Sequence, residues 1–172
     1  MLPLQDIKVL DVSQIMAGPY CTMVLADMGA EVIKVEKLNG GDDSRQMGPY
    51  VNGESTCFSQ INRNKKSISL NLKDERARQI FYRLAADADV IVENYRPGVT
   101  QSLSIDYDTI KAINPGIVYC SISGYGQTGP YSHRGGFDLV AQGMTGLMSM
   151  TGEAGRRPLK TEIGRASCRE RV

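Results

Sequence analysis

IKVLDVSQIMAGPYCTMVLADMGAEVIKVE, residues 7–36, predicts a strand, a helix and a second strand. The two strands, Ile7 to Val12 and Glu31 to Glu36, are short apolar-rich runs of the length that buried strands have. The helix is expected from Tyr20 to Met28, with Gly29 placed as a helix C-cap should be. A βαβ unit of about 30 residues has the size of a parallel crossover, so this stretch predicts a parallel sheet.

The same alternation returns along the chain. Lys66 to Asn71 and Asp89 to Glu93 are further strand candidates, and Asp74 to Ala86 between them has helical periodicity. A short helix from Tyr107 to Asn114 then leads into a strand from Gly116 to Ser123. Alternating strands and helices predict an α/β fold: a Rossmann-like parallel sheet with helices on both faces.

The remaining segments are less regular. Leu38 to Asn64 is a long polar loop, and loops of that length tend to be functional or mobile. Phe137 to Met150 is expected to be one helix despite its glycines. We expect residues 1–161 to form one incomplete domain and the arginine-rich residues 162–172 to be a disordered tail foreign to it.

The composition is that of an ordinary globular protein. The 20 basic and 19 acidic residues leave a net charge of +1 with no block of either sign, which argues against nucleic acid or a membrane surface as partner. No apolar run approaches the roughly 20 residues that span a bilayer, and the N-terminus lacks signal-peptide features, so a cytoplasmic location is expected. Four cysteines without CxxC spacing and a single histidine argue against a metal site.

A glycine-rich loop, GYGQTGPYSHRGGFD at residues 124–138, fits the GxGxxG pattern of dinucleotide binding. In a true fingerprint the third glycine opens a helix, and an acid some 20 residues on ends a strand. Here Pro130 and the pair Gly135-Gly136 prolong the loop, and Glu153 lies among turn residues. NAD is therefore disfavoured, which leaves a structural turn or a loop for another bulky ligand.

Side chains that could carry chemistry follow the predicted strands. A Ser-His-Asp set around His133 is disfavoured because triads are assembled from distant segments. Glu36, Glu93 and Asn94 end strands and should meet at one ligand-binding edge, whereas Asp11 between apolar neighbours is expected to be structural. Scattered basic residues near this edge suit one polyanionic small molecule: Lys37, Arg45, Arg63, Lys65, Lys66, Lys73, Arg96 and Arg134.

Together these segments resemble class III coenzyme A transferases. This CaiB/BaiF family includes formyl-CoA transferases, succinyl-CoA:glutarate CoA-transferases and acyl-CoA racemases. The resemblance covers nearly the whole chain except its last residues. The matching text is KVLDVS (8–13), AGP (17–19), LADMGAEVIKVE (25–36), GDDSR (41–45), NRNKKSISLNLK (62–73), DVIVENYRPG (89–98), GYGQTGP (124–130) and RGGFD (134–138).

The resemblance implies that CoA and acyl-CoA are the ligands, with no metal and no NAD. By similarity, two lysines suit the nucleotide phosphates, and the backbone at 70–73 and 94–96 suits adenine and pantetheine. A free carboxylate is the implied second substrate, and the full-length family forms homodimers. The implied CoA contacts are Met16, Ala17, Lys37, Leu70, Asn71, Leu72, Lys73, Asn94, Tyr95, Arg96 and Arg134.

The catalytic group that the resemblance implies is absent from this sequence. Racemases of the family have a histidine where this chain has Phe137, which disfavours racemisation. Transferases use an aspartate as nucleophile, but no aspartate follows Asp138, and Glu162 comes too early to replace it. We therefore expect an inactive N-terminal portion of a CoA-transferase. A non-catalytic CoA-binding or assembly module is the alternative from another class.

Overall fold

A computed structural model of the protein describes residues 1–153 and 155–161. The chain divides into two compact units, Met1–Ser123 and a second that begins at Gly124. The expected tail, residues 162–172, lies outside the described residues. The assignment of residues 1–161 to one CoA-binding domain stays a prediction.

The first unit alternates strands and helices. A parallel sheet of five strands runs in the order β5-β2-β1-β6-β7, and β3 pairs with β4 in a separate antiparallel hairpin. In chain order the elements are β1 (Lys8–Asp11), α1 (Ala17–Asp27), β2 (Glu31–Glu36), β3 (Tyr50–Val51), β4 (Glu54–Ser55), α2 (Thr56–Ile61), β5 (Lys65–Ser69), α3 (Glu75–Ala86), β6 (Val90–Glu93), α4 (Val99–Ser102), α5 (Tyr107–Ile113) and β7 (Val118–Ser121).

The sheet order confirms the predicted parallel α/β fold. Leu10 of the central strand β1 lies opposite Ile33 of β2 on one side and Ile91 of β6 on the other. The chain moves outward from β1 through β2 to β5, then returns to pair β6 with the other side of β1. In open parallel sheets, ligands bind beyond the carboxyl ends of the strands near such a reversal point.

Alternation of side chains along the strands divides the core into two layers. Val9, Val32 and Val92 pack together with Ala26 of α1. Leu10 and Ile91 point the other way, into a cluster that contains Phe81 of α3 and Ile110 of α5. Successive side chains of a strand lie on opposite faces, so the predicted helices on both faces are confirmed.

The segment from Leu38 to Asn64 is more structured than a polar loop. It contains a 3₁₀ helix, Asp43–Gln46, as well as the β3–β4 hairpin and α2. Local capping explains the 3₁₀ helix and α2, because the Asp42 carboxylate accepts from Ser44 N and the Ser55 hydroxyl accepts from Phe58 N. A prediction based on polarity alone misses such short, capped turns.

In the second unit, the prediction of a single helix from 137 to 150 is wrong. Helix α6 spans Asp138–Met144, and a 3₁₀ helix follows at Leu147–Met150. Gly146 between them has a φ of +77°, a left-handed conformation that ends the first helix. Within the part of the chain that the structure describes, no helix is both long and apolar enough to cross a bilayer.

The glycine-rich loop is closed by a contact of backbone on backbone. A Cβ built on Gly124 would lie 2.3 Å from the Cα of Gly136, and one on Gly136 would lie 2.5 Å from the Cα of Gly124. Neither position has room for a side chain. These two glycines are therefore explained by packing within the loop, and the next helix begins only at Asp138.

Candidate functional site

A cleft of about 440 Å³ opens at the carboxyl ends of β2 and β5, beside the end of β6. Its volume lies within the range of small-molecule sites. Six residues predicted from the sequence to contact CoA line it together: Lys37, Leu70, Asn71, Leu72, Lys73 and Tyr95. The other lining residues are Gln14, Val35, Glu36, Leu38, Asn39 and Leu103.

Strand alternation continues past β5 and gives the cleft an apolar floor and a polar rim. Leu70 and Leu72 are buried in the core, whereas Asn71 and Lys73 between and after them are exposed. Leu70 N donates to Glu36 O at 2.8 Å, which holds this segment against the end of β2. The arrangement presents leucine side chains and a lysine to the same cleft.

The two lysines of the cleft differ in their pairing. Lys37 Nζ forms an ion pair with the Asp43 carboxylate, and both side chains are about half exposed. Among residues 1–153 and 155–161, Lys73 Nζ has no ion pair or hydrogen bond, and the residue is exposed. Lys73 is thus a cation at the rim with its full hydrogen-bonding capacity available.

Asn94 has a structural contact at the reversal point of the sheet. Its Nδ2 donates to Gln14 O at 2.8 Å, and its Oδ1 accepts from Gln14 N at 2.8 Å. This pairing ties the end of β6 to the segment after β1. Gln14 itself lines the cleft, so the Asn94 amide positions a cleft residue.

The remaining predicted contacts lie outside the set that lines the cleft. Met16 is the N-cap of α1 and Ala17 is its first residue, and both are exposed. Arg96 is exposed three residues beyond the end of β6. Arg134, in the second unit, stacks with its guanidinium carbon 4.4 Å from the centre of the Tyr131 ring.

Four buried charged side chains form a cluster beneath α1 that the sequence does not reveal as a unit. Lys34 Nζ lies 2.8 Å from Asp42 Oδ2 and 3.7 Å from Asp11 Oδ2. Lys65 Nζ lies 2.9 Å from Asp11 Oδ2. The prediction that Asp11 is structural is confirmed, because it also accepts from Thr22 Oγ1 at 2.6 Å.

The placement of Lys65 among the basic residues of the rim is wrong, since its side chain is only 2% exposed. Burial lowers the pKa of Lys65, and the neighbouring Asp11 offsets this only in part. Burial opposes ionisation of Asp42, but the Lys34 ammonium and Ser44 outweigh it and lower the pKa of that carboxyl. The buried aspartate therefore stays charged beside its lysine.

The acids that end β2 and β6 bind protein groups. The Glu36 carboxylate accepts from Arg45 Nε and Nη2, both at 2.7 Å, and from Ser67 Oγ at 2.6 Å. Burial alone would raise its pKa, but these bonds and one from Asp42 N lower the pKa of Glu36 to about 2. Glu93 Oε2 accepts from Tyr95 N at 2.8 Å. Both acids organise the backbone around the cleft.

Three more of the predicted rim cations are also paired: Arg45 with Glu36, Arg63 with Asp27 and Lys66 with Glu31. Across the described residues, no group of three or more His, Cys, Asp or Glu side chains is arranged to hold a metal ion.

The strand order, with a cleft at the strand ends, is that of a doubly wound α/β protein. The model of CoA-transferase family III matches residues 4–166, and the chain belongs to this family. The match reaches into the segment 162–172. The resemblance seen in the sequence is confirmed.

Named relatives agree with this membership. The chain is 52% identical over 164 residues to a succinyl-CoA:glutarate CoA-transferase of Mus musculus, covering 95% of the chain and 38% of that protein. It is 46% identical over 150 residues to an acetyl-CoA:oxalate CoA-transferase of Acetobacter aceti, covering 87% of the chain and 39% of that protein.

A solved structure shares the fold. The crystal structure of a CAIB/BAIF family protein from Brucella suis superimposes with a TM-score of 0.89 at 44% identity, over 96% of this chain and 45% of that one. The chain thus spans about two-fifths of the length of the curated relatives described above.

Proposed function

We propose that this chain forms the CoA-binding part of a CoA-transferase, which moves CoA between an acyl-CoA and a free carboxylic acid. The observation that carries the proposal is that six of the predicted contacts line one cleft together. Family membership supports the reaction class.

The cleft would hold CoA by two kinds of contact. The ammonium groups of Lys73 and Lys37 would pair with phosphates at the rim, since a lysine supplies a strong point charge for such groups. Leu70, Leu72 and Leu103 would pack against the apolar parts of the ligand. Lys37 would exchange its exposed Asp43 partner for a phosphate.

We propose that the covalent step needs an aspartate that these 172 residues do not supply. In the proposed reaction, a carboxylate attacks the acyl carbon and releases CoA thiolate, which then attacks the resulting anhydride to form an aspartyl thioester and free the acid. An acceptor carboxylate then attacks the aspartyl thioester and releases CoA thiolate, which forms a new anhydride. The CoA thiolate attacks the acceptor's acyl carbon in that anhydride, which yields the new acyl-CoA and frees the aspartate. The last aspartate of the chain is Asp138 at the start of α6.

We propose a dicarboxylate as acceptor and a homodimer for the whole protein. Relatives named for succinyl-CoA with glutarate and for oxalate support the first point. The second rests on the family resemblance in the sequence.

Calorimetric titration of the chain with CoA tests the proposal. Lys73→Ala is expected to weaken CoA binding about tenfold, because about 1.4 kcal/mol of phosphate interaction is lost. Lys66→Ala is the matched control, since Lys66 is exposed outside the cleft and pairs with Glu31. CoA should also raise the melting temperature, and NAD should not. An absence of CoA binding, or equal binding by both variants, would contradict the proposal.

An activity assay tests the proposed need for another carboxylate. The 172-residue chain is expected to show no transfer from succinyl-CoA to glutarate. If the chain does turn over succinyl-CoA, and Glu162→Gln turns it over equally fast, then neither the proposed aspartate nor Glu162 is needed. That result would contradict the proposed need for another carboxylate.

A further inference from the structure

The segment after β1 is held by side chains from several parts of the first unit. Ser13 N donates to Asp11 Oδ1 at 3.0 Å, and Ser13 O accepts from Lys34 Nζ at 2.8 Å. The next peptide groups, those of Gln14, bind the Asn94 amide. Successive backbone groups at the reversal point of the sheet are therefore fixed by side chains far apart in sequence.

Ile15 is the strained residue of this segment. Its φ is +70°, in the left-handed region that a β-branched residue rarely adopts. Residues in such conformations persist only where the surroundings enforce them, and they cluster at functional sites. Ile15 N donates to both oxygens of the Asp42 carboxylate, at 3.1 and 3.3 Å.

Asp42 is itself fixed by buried partners. Lys34 Nζ lies 2.8 Å from its Oδ2, and Ser44 N and Oγ donate to its Oδ1 at 2.8 and 2.7 Å. Asp42 N donates to Glu36 Oε2 at 2.8 Å. The carboxylate that holds Ile15 therefore has little freedom to move.

Packing of the segment's own side chains does not account for this restraint. Ile15 is 43% exposed and Met16 is 52% exposed, so the strained turn buries little apolar surface. The restraint fixes a backbone path that leads from Gln14, in the cleft, to the exposed start of α1.

We propose that Asp42 is a positioning residue for CoA: held by Lys34, it keeps Ile15 in the left-handed conformation and so fixes Gln14 and Met16 for ligand contact. This inference rests on the proposed function. Without Asp42, isoleucine would return to a negative φ, and only a small fraction of molecules would keep the binding conformation. The apparent affinity falls in proportion to that fraction.

The test combines Asp42→Asn with Ile15→Gly and measures the Kd of CoA by calorimetry. Asp42→Asn alone should raise Kd about tenfold, and Ile15→Gly alone should change it less than about threefold. In the Ile15→Gly background, Asp42→Asn should raise Kd by no more than about threefold, since glycine adopts positive φ readily without help. This non-additivity is the readout that a purely structural role of Asp42 would not produce.

Asp106→Asn is the matched control for lost stability. Asp106 caps α5 by accepting from Thr109 N at 3.2 Å and Thr109 Oγ1 at 2.8 Å, and it does not line the cleft. Its replacement should leave the Kd of CoA unchanged. An equal loss of affinity in Asp106→Asn would mean that binding follows overall stability, and would overturn the inference.

Ile15→Pro gives a second route if Asp42→Asn does not fold. Proline fixes φ near −65° and leaves all four charges of the cluster in place. It should bind CoA at least about tenfold more weakly than Ile15→Gly, and equal binding would overturn the inference. If the wild-type chain does not bind CoA, the proposed function fails. If it binds CoA and Asp42→Asn binds equally well, only the positioning role fails.

Discussion

Two lysines, Lys34 within β2 and Lys37 just past its end, have opposite surroundings in this protein. Lys34, inside β2, is 1% exposed and pairs with buried Asp42, whereas Lys37, just past the end of β2, is 45% exposed and pairs with exposed Asp43. The first fixes the backbone on the α1 side of the sheet, and the second lines the cleft. Position on the strand, rather than residue type, separates a lysine that holds the structure from one available to a ligand.

The largest expected difference between the two regions is in stability. Lys34→Ala leaves Asp42 buried without its partner, which typically costs about 3–5 kcal/mol. Lys37→Ala removes an exposed ion pair and should cost less than about 1 kcal/mol. Urea unfolding of the two variants measures both free energies. Similar losses in the two would show that the regions do not differ in this way.

The next effect concerns the close approach of α1 to the segment after β1. A Cβ on Gly18 would lie 2.1 Å from the Cβ of buried Ser13, so Gly18→Ala should destabilise the protein by about 3 kcal/mol. At Gly116 the added Cβ would meet Asn114 at an ordinary 3.6 Å, which makes Gly116→Ala the control. Equal unfolding free energies for the two variants would contradict the tight packing of this region.

Acid titration examines Glu36, which lies between the two regions. Its folded pKa of about 2 is below the ordinary value of 4.5, so its stabilisation is complete above pH 4.5 and is lost as the pH falls toward 2. Glu36→Gln should remove about 2 kcal/mol of the stability change between pH 5 and pH 3, since one pKa unit corresponds to about 1.4 kcal/mol. Asp6→Asn, at an exposed carboxylate, is the control. Parallel pH profiles for wild type and Glu36→Gln would refute this role.

The smallest expected effect is on the affinity of the cleft for CoA. Asp43→Asn frees Lys37 and should strengthen CoA binding about twofold to threefold at low salt, as expected for an exposed ion pair. Glu31→Gln also removes one negative charge, but it frees Lys66 outside the cleft. If both variants bind CoA with the same affinity, the gain comes from the change in net charge. Lys37 would then not contact the CoA phosphates.

The parallel sheet could be predicted because its signals are local. The apolar runs of β1, β2 and β6 and the capped helix α3 are contiguous in sequence, and their alternation specifies the fold class. The 3₁₀ helix at Asp43–Gln46 and helix α2 depend on one or two side-chain caps, so a scan for apolar periodicity passes over them. Gly146 adopts a left-handed conformation and ends α6 early, whereas Gly143 lies within the helix. The sequence alone does not show which of the two glycines ends the helix.

The candidate site was predictable where residues follow strand ends, as Lys37 and Lys73 do. The cluster of Asp11, Lys34, Asp42 and Lys65 was not, because its pairing joins three strands and a loop. One signal does exist: strand alternation places Lys34 on the same face as buried Val32. A lysine at a core position needs a buried partner of opposite charge. The sequence does not indicate which aspartate is the partner of Lys34.

Hydrogen exchange with and without CoA tests most directly that this cleft is the CoA site. If the cleft holds CoA, backbone amides should exchange more slowly at residues 37–39 and 70–73, which line the cleft, and at 14–17. Exchange should not change on the β3–β4 hairpin or at the groove around Val51 and Gln60, where a second hollow lies. Protection by CoA that is confined to that groove, or absent from 70–73, would show that this cleft is not the CoA site.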